Sequence, residues 1–228
     1  ARVKGKYKFS ELKNVVGHYL SRYLPAMFDR PASDPAKLAA TQMDFTIKFK
    51  QTQPFFVFFF PEYLIDEMSE ARGTFAPGQV NPLQLDLYSP RLKYRTNTWD
   101  GFVLNVAATN SAIQVEIGSR NFNVSNRIEL ENFTLMSSIQ DNMVSYDTRW
   151  LNWDSTLYKG SISGEAEFVK IGDKTGVTCH FNPADIIISD TVWNIEAFAL
   201  KADTTGIGIH GLVVKKDDEF IHANGKIS

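Results

Sequence analysis

Ile128-Glu-Leu130-Glu-Asn-Phe133-Thr-Leu135, followed after a polar turn by Val144-Ser-Tyr146, is the stretch that decides the fold. Apolar side chains stand at alternate positions and polar ones between them. Successive side chains of a strand point to opposite faces, so the pattern describes a strand with one apolar and one polar face. The same statement recurs outward in both directions. It is read in Phe102-x-Leu104-x-Val106, Ile113-x-Val115-x-Ile117, Phe122-x-Val124, Val177-x-Cys179-x-Phe181, Ile207-x-Ile209 and Leu212-x-Val214. From about Leu83 to Ser228 the chain predicts strands joined by polar turns, with no helix between them. The Ile128 pattern returns 79 residues later at Ile207, which favours an elongated sheet although hairpins of a sandwich also repeat.

The apolar face must meet something. In most all-β proteins it meets a second sheet; in fewer it lines an open trough and meets lipid. The expected fold is all-β: an elongated antiparallel β-groove or a β-sandwich, with one N-terminal amphipathic helix. The candidate lipid-facing residues are Leu104, Val106, Ile113, Val115, Ile117, Ile128, Leu130, Phe133, Leu135, Ile207, Ile209 and Val214. In a closed sandwich the same residues are plain core.

The helix is expected over Ser10–Met27. Leu12, Val15, Val16, Tyr19, Leu20, Tyr23, Leu24 and Met27 form one apolar stripe, with Ser10 as N-cap and Pro25 bending or ending the last turn. Its apolar positions Leu12, Val16, Tyr19, Leu20 and Tyr23 are predicted to dock on the sheet and close one end of the trough. Residues 1–40 then form the capping helix and linker, with a Pro-containing loop over Asp29–Ala40, and residues 41–228 the β-rich domain. Met43–Phe49 reads as a strand. Phe55–Phe60, between Pro54 and Pro61, reads as a short strand covered on both faces. Leu64–Met68 is either a helical turn or a strand, and Gly73 and Pro77-Gly78 are turns.

Composition excludes several function classes. A net charge of -2 without any basic run gives no nucleic-acid surface. One cysteine, Cys179, allows no internal disulfide. The longest apolar run, at Phe55, is too short to span a membrane as a helix. Both ends read as cuts through a longer protein. Gly206-x-Gly208-x-x-Gly211 matches a dinucleotide fingerprint in letters only, because its glycines alternate with Ile207 and Ile209 and no helix pattern follows. Cys179 and His180 are neighbours in a strand, so their side chains diverge. The four histidines lack ligand spacing, and Asp217-Asp218-Glu219 reads as a hairpin tip. No catalytic residue, metal ligand or cofactor is expected. Asn123-Val-Ser125 and Asn132-Phe-Thr134 match the glycosylation sequon, which has meaning only in a eukaryotic secretory route. Trp99, Trp150, Trp153 and Trp193 supply the rival reading, a carbohydrate-binding or adhesion module that stacks sugars on exposed rings.

One further cadence stands out: Phe181-Asn-Pro183-Ala-Asp-Ile-Ile187-Ile-Ser-Asp190-Thr-Val-Trp193-Asn-Ile195, then Ile207 to Val214, then Phe220-Ile-His-Ala-Asn-Gly225-Lys-Ile227-Ser228. With Gly73-Thr-Phe75 and Leu87–Tyr94, it resembles the TamB (translocation and assembly module) proteins of Bacteroidetes, within the AsmA-like family. The resemblance spans about four-fifths of the chain. It implies a periplasmic protein anchored in the inner membrane, with an apolar β-groove that reaches toward an outer-membrane barrel partner. It implies phospholipid acyl chains as ligand, and a role in lipid movement between membranes and in outer-membrane assembly. This chain departs from the family in lacking the anchor helix and in starting with an amphipathic one.

Overall fold

The computed structural model describes residues 2–28, 39–51, 53–153 and 157–227. In chain order they form β1 (Arg2–Lys6), α1 (Phe9–Leu20), β2 (Gln42–Lys48), α2 (Gln53–Phe59), β3 (Tyr63–Ile65), β4 (Glu70–Phe75), β5 (Leu83–Tyr94), β6 (Asn97–Ala108), β7 (Ile113–Val124) and β8 (Ile128–Gln140). There follow β9 (Met143–Trp153), β10 (Leu157–Ile171), β11 (Lys174–Phe181), β12 (Ala184–Ile188), β13 (Thr191–Ile195), β14 (Phe198–Asp203), β15 (Gly206–Lys216) and β16 (Glu219–Ile227). The fold is all-β. All 16 strands belong to one sheet, and every pairing in it is antiparallel.

Hairpins join successive strands from β4 to β11. The spatial order then looks crossed, β11-β14-β15-β13-β12. The crossing is only apparent. Phe181 pairs with Phe198 and Ala184 with Ile195, so β11 and β12 are halves of one strand and β13 and β14 halves of the next. The break falls at Asn182-Pro183, where proline has no N–H for the ladder.

That break belongs to a crease across the sheet. The ladder skips Pro90, Gly101, Arg120 and Asn132, which stand opposite one another on β5 to β8. Gly101 and Asn132 have φ of 63° and 50°, and an inserted left-handed residue of this kind bends a strand. At the crease the apolar step changes from two to three: Trp99 to Phe102, Leu130 to Phe133, Phe181 to Ala184, Ile195 to Phe198 and Ile209 to Leu212. The extra residue keeps the apolar side chains on one side. Trp99 stacks on Phe122 at 4.6 Å on the far side of the crease, and Phe122 meets Phe133 edge-on at 5.0 Å on the near side. The 79-residue repeat seen in the sequence is this crease met twice.

Skipped ladder positions leave backbone groups without partners, and buried side chains supply them. The Ser119 hydroxyl lies 2.9 Å from the Asp100 carbonyl and 2.7 Å from that of Asn121. Asn152 accepts from the Glu131 N–H at 2.8 Å and donates to the Glu129 carbonyl at 2.9 Å.

The helix differs from expectation at both ends. It begins at Phe9 with Lys8 in the N-cap position and no side-chain cap, so Ser10 lies inside it. It ends at Leu20, and the chain continues as turns to Phe28. Ser21 closes it by donating to the His18 carbonyl at 2.8 Å. Gly73 is not a turn: it sits inside β4, and a Cβ there would fall 2.6 Å from the Phe45 ring. Leu64 and Ile65 are strand, followed by a turn at Asp66. The loop expected over Asp29–Ala40 lies outside the described residues up to Leu38.

The largest correction concerns Phe55–Phe60. The segment is α2, not a buried strand, and Val57, Phe58, Phe59 and the following Phe60 are exposed. Pro54 suits the first helical turn, the Phe60 N–H bonds the Phe56 carbonyl at 2.8 Å, and Pro61 stops the helix. An apolar run without alternation fits strand and helix equally; the two prolines decide between them.

Candidate functional site

The register assembles the apolar face row by row. One row runs Met43–Phe75–Leu83–Ala108–Ile113–Ile139–Val144–Ala166–Cys179–Leu200–Ile209. No member is charged, from β2 to β15. The next row carries Leu85, Val106 and Val115, then Ser137, Tyr146, Gly164, Phe181 and Phe198. A third carries Leu87, Leu104, Ile117 and Leu135. Phe133 stands opposite Ser119 at the crease, and Leu130 lies beyond it in the row Leu92–Trp99–Phe122. The sequence candidates thus fall on neighbouring rows. Ile128, paired with Val124, and Ile207, paired with Ala202, sit near strand ends and are more than half exposed. Val214 stands between Ile195 and Ile221.

The lipid-facing candidates leave out the aromatic half of this face, although Tyr146 and Phe181 are already read in alternating strands. Tyr146, Phe181 and Phe198 form a second ring cluster, with Phe181 and Phe198 stacked at 4.3 Å. Glycines on β10 make room for rings. A Cβ on Gly160 would lie 2.3 Å from the Trp150 indole, and one on Gly164 would lie 2.6 Å from the Tyr146 hydroxyl. The signal was present as the same alternation, extended through Tyr146 and Phe198.

No second sheet lies on this face among the described residues; α1 and the turns after it cover one end of it. Val15, Tyr19 and Tyr23 are buried against Phe75, Ala108 and Ile113, with Val16 and Leu20 packed beside them. Leu12 is half-buried and lies outside that cluster. The turns are pinned to hairpin tips. Tyr23 donates to the Thr109 carbonyl at 2.5 Å, Asn142 accepts from the Ala26 N–H at 2.7 Å, and Thr175 donates to the Ala26 carbonyl at 2.8 Å.

Burial sets the electrostatics here. It holds the Tyr19 phenol far above its ordinary range, helped by the hydrogen bond to Tyr23 at 2.8 Å. Burial first, and the neighbouring Cys179 second, push Tyr146 up to about 12. Burial also raises the Cys179 thiol, the opposite of what a nucleophilic thiolate needs. Trp99, Trp150 and Trp193 are half-buried, each against its own neighbour; Lys216 lies over the Trp193 ring at 5.7 Å. The Trp153 side chain lies outside the described residues.

No family model, curated protein or solved structure matches this chain. The likeness to the AsmA-like family therefore rests on strand and turn cadence alone.

Proposed function

We propose that the chain is a non-enzymatic segment of a periplasmic, envelope-spanning protein that shields lipid acyl chains against an apolar β-face. Its role is to support phospholipid movement between membranes and outer-membrane assembly, with the full-length protein anchored in the inner membrane and reaching an outer-membrane barrel. One observation carries the reading: apolar rows cross the sheet in register, and α1 packs on the outermost of them from Met43 to Ile139 while the row Leu87–Leu104–Ile117–Leu135 and the β11–β15 end of the outermost row lie outside its cluster. A soluble protein does not keep such a face bare without an occupant. An acyl chain laid along it gains about 0.8 kcal/mol per methylene removed from water. That gain needs no directional partner, so a face of this kind conducts a chain rather than holding it at one point. The polar alternate positions, among them Gln84, Asn105, Gln114 and Glu116, keep the other face wet.

The test places a photo-crosslinking amino acid at Leu104 and at Ile209, both beyond the reach of the α1 cluster, in the full-length protein in cells. Phospholipid adducts at both positions are expected, and none at Glu116 on the opposite face. Absence of lipid adducts at Leu104 and Ile209 overturns the reading.

A further inference from the structure

The residues of α2 (Gln53–Phe59) and the turn after it stand apart from the rest of the surface. Val57, Phe58, Phe59 and Phe60 are 63%, 79%, 59% and 50% exposed. Four successive residues of a helix are spread over about 300° of its circumference. The segment is therefore apolar nearly all round, not along one stripe. That geometry selects its partner. A helix received by a protein groove shows one apolar face and keeps a polar back. A tip apolar on every side finds matching surroundings only where apolar contacts close around it, as in the acyl region beneath lipid headgroups.

Its location agrees. α2 leads through Pro61 into β3, which pairs with the end of β5 at Tyr94, whereas α1 covers the opposite ends of the strands, near Ala108 and Ile113. Lys50 precedes the helix and Lys93 stands opposite Leu64 in the ladder, both exposed; Arg95 is paired with Glu62 at 3.2 Å, and Asp66 and Glu67 are the acids of the β3–β4 turn. The three cations and three acids balance, so the seating of this tip rests on apolar contact and not on charge.

We infer that α2 is a membrane-docking tip: Val57 and Phe58, with the phenylalanines beside them, insert into the interface of a lipid bilayer and seat this end of the sheet on it. The inference stands on α2 and does not require the groove to carry lipid.

Flotation of the full chain with vesicles of phosphatidylcholine containing a minority of phosphatidylglycerol tests it. The wild-type protein is expected to float. The double variant Val57→Asp, Phe58→Asp is expected to stay with the soluble fraction at an unchanged melting temperature, because both side chains already face solvent. Leu104→Asp, on the sheet, is expected to float. A wild-type chain that does not float overturns the inference. So does a double variant that floats as well as wild type, or flotation lost in Leu104→Asp and kept in the α2 variant, which assigns the binding to the groove. A dimer of the wild type that the double variant dissolves, with no vesicle binding, makes the occupant a second copy and likewise overturns it.

Discussion

Asn152 does at the crease what no backbone group there can do. It is 4% exposed, and its amide replaces two ladder bonds between β8 and β9, one to the Glu131 N–H and one to the Glu129 carbonyl. A buried backbone group stripped of its partner loses its water without compensation. Asn152→Leu keeps the size of the side chain and removes both bonds. Its expected cost is about 2–3 kcal/mol, read as a lower urea midpoint with an unchanged m-value. Gln114→Leu removes a side-chain hydrogen bond on the wet face, to Ser138 at 2.9 Å, and should cost less than about 0.5 kcal/mol. Equal effects of the two substitutions would show that the crease is not held by its buried amide. At this scale the sequence was half legible. Alternation named the apolar residues, but Asn152 and Ser119 occupy positions where any short polar residue reads as strand filler. Their role depends on which carbonyls the bulge leaves open, and those belong to neighbouring strands.

At the scale of elements, period decided what was readable. Strands with strict alternation were legible, and so was the existence of α1, whose stripe repeats at helical spacing. Its ends were not. Tyr23, Leu24 and Ala26 are as well buried as the helix residues, so burial continues where helical hydrogen bonding has stopped. α2 was misread because six successive apolar residues carry no period at all. β1 escaped notice because its three cations hide the single buried-side valine, Val3. The docking of α1 has a direct consequence. Leu20 packs beside the Tyr19–Phe75 contact, where rings meet edge-on at 5.3 Å. Leu20→Asp sets an unpaired charge against that cluster and should cost about 2–4 kcal/mol. Thermal melting and light scattering together report it: a lower transition, and larger particles as the uncovered apolar rows meet one another. A melting temperature and particle size equal to wild type would mean that α1 contributes nothing to holding the face.

At the scale of the molecule, two quantities describe an extended sheet. The accessible surface is 14275 Å², against about 10,400 Å² expected for a compact monomer of this mass. Among the described residues three strands have a neighbour on one side only, β1 on β2, β3 on β5 and β16 on β15. The edges are built differently. β1 carries Arg2, Lys4 and Lys6 on five residues, and cations of this kind discourage a further strand from pairing. β16 is nine residues long with Glu219 and Lys226 as its charges, and it exposes Phe220, Ile221 and Ile227. An unpaired ladder beside exposed apolar side chains is a template for another strand. The chain should therefore associate through β16 and not through β1. Light scattering across a concentration series is expected to show a rising mean mass for the wild type. Ile221→Lys combined with Ile227→Lys should hold the mass at that of one chain, whereas Val3→Lys on β1 should leave the rise intact. A mass that stays monomeric throughout, or that responds to Val3→Lys instead, would show that charge on the edge strands does not govern how this sheet meets its neighbours.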